Sequence, residues 1–506
     1  MAGPLIKSIA LLKLQAESES PLKRALSASH LVALGIGAIV GAGIFVVTGW
    51  AAARYAGPAV PLSFLLGAIA CAFAGLCYAE LASTVPIAGS AYTYAYATMG
   101  ELVAWIIGWD LVLEYTMAGA SVSVGWSAYF GALLRDVGWP LPEAIASAPF
   151  RWCEAADVAA AVAGCPGEGL QPTGTLINLP AVAIIGAMSL VLVVGVRESA
   201  WVNNVIVALK VAVLLAFIGF GVMYVRAENW QPFVPPNEGY FGRYGLSGIL
   251  RGAGLVFFAY IGFDAVSTAA QEAKRPQRDL PIGILGSLAV CTVLYVVVSV
   301  VLTGLIPYQQ LDVPHPVGFA VESTPQLRWM VPFIDLGAVL GLGSVVLVML
   351  LGQSRVFYAM SRDGLLPKWL SHVHPRWSTP WITQVLVGIT AATFGGLFPL
   401  DLLGQLVNIG TLLAFVLVCG GILVLRRSRP DLPRPFRTPL VPLVPLLGIA
   451  SCLGLMATLP GDTWLRLLAW LVVGLVIYAL YGRRHSTLRT GEDARRLAAA
   501  SIEEGR

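Results

Sequence analysis

Three ionisable side chains interrupt stretches of sequence that are otherwise apolar: Glu114, Lys210 and Asp264. A Lys at the centre of a membrane helix costs about 2.5–3.5 kcal/mol on insertion scales, so each such charge needs a partner or a task. A buried amine or a buried carboxyl can carry a proton. Burial and a neighbouring ammonium act on a carboxyl in opposite directions, so titration of either acid and a fixed ion pair are both open readings. Asp110 and Glu80 lie nearer the ends of their apolar stretches and read as structural polar groups.

A second kind of chemistry lies in the backbone. Glycines fall inside two apolar stretches where a continuous helix disfavours them, GIGAIVGAGIF at 35–45 and GAGLVFFAYIGFD at 252–264. Where a helix unwinds inside a protein, its freed N–H groups hold a carboxylate and its freed C=O groups hold an ammonium or a metal cation. A zwitterionic amino acid matches both sets. The competing reading is that these glycines only let helices pack closely. Nucleophilic catalysis has no support, because His30, His315, His372, His374 and His485 all fall at the edges of apolar stretches or in loops. The residues call for no cofactor and no metal.

The elements that must position these groups are membrane helices. Of the 506 residues 57% are hydrophobic and only 12% charged, and the mean hydropathy is +0.77, whereas soluble chains carry about 25% charged residues. Twelve apolar stretches are expected, near 31–56, 58–84, 102–132, 176–196, 201–225, 246–270, 282–306, 331–360, 381–399, 403–425, 440–460 and 463–482. Runs such as VLLAFIGFGVMYV are apolar on every face, which fits helices and not the alternating strands of a barrel. Rising about 1.5 Å per residue from Trp201, Lys210 lies roughly 14 Å deep, near the midplane.

Basic residues set the orientation. With both termini in the cytoplasm, 23 Lys and Arg fall inside and eight outside, with Lys210 in the membrane. The net charge of +4 is therefore a matter of topology and not of nucleic-acid binding. The run from Leu5 to Leu14 is broken by Lys7 and Lys13 and has no small-residue cleavage site, so it reads as an attached amphipathic segment, not a signal peptide. Of seven cysteines, five sit in apolar stretches as small buried hydrophobes. Cys153 and Cys165 share the long outer loop, where either a disulfide or two free thiols is open.

Five helices separate the two glycine-broken stretches, so the second copy enters the membrane from the opposite side, as an inverted repeat does. The expected organisation is a cytoplasmic segment at 1–30, a first repeat at 31–226 with an outer loop at 133–175, and a second repeat at 227–427. Two further helices follow at 428–482 and a cytoplasmic tail at 483–506.

These residues carry a resemblance. Together with YAELASTVPIAGSAYTYAYATMGELVAWIIGWDLVLEY at 78–115, FFAYIGFDAVSTAAQEAKRPQRDLP at 257–281 and GQSRVFYAMSRDGLLP at 352–367, the sequence resembles the amino acid–polyamine–organocation (APC) superfamily, and within it the bacterial cationic-amino-acid-transporter-like permeases. The resemblance covers nearly the whole chain. It implies an all-α membrane protein with the LeuT-type five-plus-five inverted repeat, two extra C-terminal helices and alternating access.

Residue by residue, it implies that Gly41, Ala42, Gly43 and Ile44 form an unwound stretch facing the substrate carboxylate, with Ile39 and Val40 facing the amino group. Phe258 takes the place of an aromatic lid, with Ala259 and Ile261 lending carbonyls; an ordinary packed aromatic is the alternative for Phe258. Lys210 resembles the fifth-helix lysine that stands where sodium-driven relatives hold an ion, and would be held by carbonyls of the broken first helix. Gly343 and Ser344 are candidates for the side-chain pocket. Glu272, in the basic loop after the sixth helix, is a candidate for gating; Lys274 and Arg275 of that loop and Arg362 in the loop after the eighth helix read as orientation and headgroup contacts.

The implied function is import of amino acids by proton-coupled symport across a cell membrane, the inner membrane in a bacterium, with Lys210, Glu114 and Asp264 as the coupling groups. A sodium-independent exchanger and a non-transporting amino acid receptor are the alternatives. A pore is disfavoured, because no ring of charged or carbonyl-rich filter sequence is evident. The expected partners are an amino acid, protons and membrane lipid; a small membrane partner and the oligomeric state stay open. No acidic residue is required to face the substrate's tail, which leans the reading to neutral amino acids, alanine included.

Overall fold

The computed structural model describes residues 6–7, 26–85, 90–154, 165–195, 200–270, 272–377 and 379–491. Most of the expected N-terminal amphipathic segment and the end of the C-terminal tail lie outside the described residues. Each of the twelve apolar stretches is helical: α1 (Ala28–Ile39), α2 (Val60–Thr84), α3 (Glu101–Asp136), α4 (Leu179–Val194), α5 (Ala200–Gly221), α6 (Gly245–Val256), α7 (Pro276–Leu305), α8 (Val331–Arg362), α9 (Trp381–Leu397), α10 (Leu400–Ser428), α11 (Leu443–Ala457) and α12 (Gly461–Ile477). Among the described residues eight helical segments are long and apolar enough to cross a membrane, while α1, α4, α9 and α11 are shorter apolar helices. Helix is the form that satisfies every backbone polar group within the segment when no water is at hand.

Local sequence sets the ends. The Asn178 side chain caps α4 by accepting from Ala181 N at 3.2 Å, and donates from Nδ2 to Ser127 Oγ of α3 at 2.8 Å. Gly195 closes α4 in the left-handed conformation, at φ 73°. Burial sorts the helices. Of the most apolar window of α3, 83% is buried inside the protein, against 22% for the segment containing α12, so α3 is a core element and α12 lies at the periphery of the bundle. The two most extensive helix contacts are α3 on α8 and α2 on α7.

Outside the membrane-length helices, β1 (Phe150–Cys153) pairs antiparallel with β2 (Gly169–Pro172) in the loop between α3 and α4. Beside this hairpin the Cys153–Cys165 disulfide forms, with Cα atoms 5.6 Å apart, which decides the alternative left open above. The other five cysteines are buried and free.

Candidate functional site

Both glycine-bearing stretches break. In the first, α1 ends at Ile39 and Val40 turns extended (φ −71°, ψ 95°), after which the chain resumes as a wide helical turn over Gly43–Val47. The amides of Ile44 and Phe45 both return to the Gly41 carbonyl, at 3.2 and 3.3 Å. The unwound stretch is therefore Val40–Gly41, shorter than the expected Gly41–Ile44. In the second, α6 tightens after Val256 into a 3₁₀ turn over Phe257–Tyr260; Ile261 is extended (ψ 136°) and Gly262 has φ 114°.

The two breaks face each other. A Cβ on Gly43 would collide with the Ala259 backbone, and one on Gly262 would come within 3.0 Å of the Ala38 carbonyl, so both glycines are required by close approach of the other chain segment.

Between the breaks lies a cavity of about 10 Å³, room for roughly one water. Its walls are Ala38, Ile39, Gly41, Ala42 and Gly43 of the first stretch, Phe258 and Ile261 of the sixth, Ala118 and Val122 of α3, and Val345 and Met349 of α8. Six of the ten residues singled out from sequence line it: Ile39, Gly41, Ala42, Gly43, Phe258 and Ile261. The other four lie beside it. The Val40 carbonyl is engaged by Lys210, Ile44 is fully buried, Ala259 packs on Gly43, and Ser344 Oγ turns back to the Gly341 carbonyl at 2.9 Å. The four wall residues on α3 and α8 had no signal in the sequence. Each pair is spaced i, i+4 on one helix face, but Ala, Val and Met on an apolar helix look the same toward a cavity, a neighbour or lipid.

The carbonyls freed by the first break are taken up by side chains. Lys210 Nζ donates to Gly37 O at 2.7 Å and to Val40 O at 3.1 Å, and Tyr295 Oη donates to Ile39 O at 2.8 Å. Lys210 is fully buried, and α8 makes room for its stem with Gly341, where a Cβ would lie 3.1–3.3 Å from Cγ, Cδ and Cε. Nothing in VLYVVV distinguishes Tyr295 from a packed aromatic.

The carboxyls gather where α3, α10 and the second half of the sixth stretch meet. Asp264 Oδ2 accepts from Tyr115 Oη at 3.0 Å, while Asp264 Oδ1 and Glu114 Oε1 have no partner among the described residues. Asp110 is one turn from Glu114 and faces Gly410 of α10, where a Cβ would lie 3.0 Å from Oδ1; both its oxygens are likewise unpartnered among the described residues. Glu80 behaves as a structural group, held by Arg426 at 2.8 Å and by the Thr438 amide at 2.7 Å.

Contacts close both faces. On one, Leu26 pairs with the segment after the sixth stretch, its amide on Glu272 O at 2.9 Å, and Lys7 meets Asp363 at 2.6 Å. On the other, Arg54 bridges Asp312 at 3.0 Å and Asp401 at 3.5 Å, and Tyr129 Oη donates to Phe45 O at 2.7 Å. Nearby, His315 stands 3.4 Å from Arg135 and edge-on to the Tyr129 ring. Burial, and then the Arg135 guanidinium, push the His315 imidazole down to about 4.

A bundle of membrane-length helices, with two of its stretches broken face to face around a small apolar cavity, defines a multi-pass membrane protein. The amino acid permease family profile matches residues 26–478. The chain is 51% identical to the branched-chain amino acid permease BcaP of Bacillus subtilis over 483 residues, 95% of this chain and 98% of the relative. It is 45% identical to the methylthioribose transporter of Bacillus subtilis, over 95% and 98% of the two chains. Against the vacuolar cationic amino acid transporter 4 of Arabidopsis thaliana it is 37% identical, over 81% of this chain and 64% of the relative. The chain belongs to the amino acid permease family of the APC superfamily, a family of transporters and not of enzymes.

Proposed function

We propose that the protein is a secondary active transporter that imports neutral amino acids by alternating access, coupled to protons, with both termini in the cytoplasm and a five-plus-five inverted repeat followed by two helices. The observation that carries this reading is the pair of breaks facing each other across the cavity, with the Lys210 amine on the carbonyls of the first. The repeat draws support from the two largest helix contacts, α2 on α7 and α3 on α8, each joining elements five positions apart. A substrate carboxylate would meet the amides around Gly41–Gly43, and its ammonium the carbonyls near Phe258–Ile261, under Phe258 as lid.

Side-chain preference follows from the walls. Ala118, Val122, Val345 and Met349 offer no charge and no side-chain hydrogen-bond donor, which suits an aliphatic neutral substrate. The name of one relative, the branched-chain amino acid permease BcaP of Bacillus subtilis, agrees with that chemistry. Methylthioribose, the cargo in the other relative's name, carries ring hydroxyls that these walls leave unanswered, so it is the weaker reading. The cavity holds about one water, so binding must push α3 and α8 side chains back or widen the breaks.

In the coupling step Lys210 braces the first break against α5 while protonated, and loss of its proton toward the cytoplasm loosens the brace and favours release. Linkage then requires that substrate binding also tighten the proton. The test is uptake into liposomes across an imposed pH step without sodium, for wild type, Lys210→Ala and Asp264→Asn. Wild type is expected to concentrate branched-chain amino acids or alanine; Lys210→Ala is expected to lose the response to the pH step while still binding. Concentrative uptake by the lysine variant would pass the proton to the carboxyls. Counterflow without any response to the pH step would make the protein an exchanger.

A further inference from the structure

The sixth stretch has its own brace, and it comes from α10. Asn408 Nδ2 donates to the carbonyls of Gly254 at 2.9 Å and Leu255 at 3.1 Å. These belong to the last residues of α6 before the chain tightens into the 3₁₀ turn that carries Phe258. Asn408 is fully buried on α10. On the other side, Lys210 of α5 spans the last turn of α1 in the same manner, with donors on Gly37 O and Val40 O at 2.7 and 3.1 Å. Helices α5 and α10 are five elements apart, as are α1 and α6, so each broken helix has its final carbonyls held by the fourth helix after it.

We infer that Asn408 is a positioning residue of the transport cycle, the repeat mate of Lys210, which holds the end of α6 so that Phe258 closes over bound substrate. The inference rests on the transporter reading given above. The physical reason is accounting: when an α-helix tightens to a 3₁₀ turn, carbonyls near its end lose their usual partners, and a buried carbonyl left unpaired is costly. One carboxamide with two N–H donors covers two of them. The two braces differ in one respect. Lys210 carries a charge that loss of a proton removes, whereas the Asn408 amide has none, so the sixth-helix brace stays engaged at every pH while the first is the one that deprotonation loosens.

The experiment uses the full-length protein in lipid nanodiscs and compares wild type with Asn408→Leu, which keeps the volume and removes both donors, and Asn408→Gln, which keeps the amide. Release of bound L-isoleucine after dilution is expected to be about tenfold faster in Asn408→Leu. Hydrogen exchange is expected to rise in the peptide spanning Phe257–Gly262 and stay unchanged in that spanning Arg275–Leu288. Asn408→Gln is expected to recover most of the slow release. Asn408→Thr carries the same test if the leucine variant does not fold, because its hydroxyl turns back to a carbonyl of its own helix. Wild-type release and exchange in both the Leu and Thr variants would overturn the inference. If no amino acid stabilises or protects the wild type, it is the transporter reading that fails, and the exchange comparison still decides the role of Asn408.

Discussion

At the scale of single residues, the site is built largely from backbone, and side chains serve to keep that backbone open. Lys210, Tyr295 and Asn408 each donate to carbonyls that a helix break has released. Phe258 differs, because it is the large side chain in the cavity wall that belongs to a broken stretch. If the ring closes over substrate, Phe258→Ala should lower uptake about tenfold or more while equilibrium binding falls only about threefold, since a lid acts on commitment more than on contact. Initial uptake rates set against binding by thermal shift separate the two; equal losses would make Phe258 a plain contact residue.

At the scale of elements, the two breaks depend on glycines that serve different purposes. Gly43 lies in helical backbone and is needed because Ala259 passes directly over it. Gly262 is needed for that reason and for its φ of 114°, a region that residues with a Cβ rarely adopt. Gly262→Ala therefore meets strain and a clash with the Ala38 carbonyl at once, and should cost about 1–3 kcal/mol of stability with loss of substrate binding. Thermal unfolding with and without substrate measures both. A variant as stable as wild type that still binds would mean that the sixth break relaxes freely and is not part of a fixed site.

At the scale of the whole molecule, closing contacts stand on both faces at once, Leu26 and Lys7 on one side and the Arg54 bridges on the other, which on the transporter reading is an occluded state. The face that carries the Arg54 bridges also has a built-in response to acid. The imidazole of His315 is held down to about 4 by burial and by Arg135, against an ordinary value of about 6.5. Between those two values the unfolded chain binds a proton that the folded chain does not, so stability is intact above about pH 6.5 and declines as pH falls toward about 4. His315→Gln removes that proton, and its unfolding temperature should fall less steeply over the same interval. Parallel pH profiles for the two proteins would place the acid sensitivity elsewhere.

Much of this architecture was legible in the residues alone. Composition and unbroken apolar runs are sufficient for membrane helices, because a bilayer leaves a chain few other ways to satisfy its backbone. Glycines in two such runs marked the breaks, and the cost of an amine at mid-membrane marked Lys210 as a residue with a purpose. Tertiary structure alone decided what those groups face. Ala118, Val122, Val345 and Met349 become cavity walls only because α3 packs on α8 beside the breaks, and a periodic apolar helix carries no mark of which neighbour each face will meet. Tyr295 and Asn408 are ordinary members of their helices until folding places released carbonyls within reach of their donors. The Cys153–Cys165 bond was one of two open alternatives until folding brought the two Cα atoms to 5.6 Å. Contacts distant in sequence are properties of packing, and sequence periodicity encodes only the local half of that information.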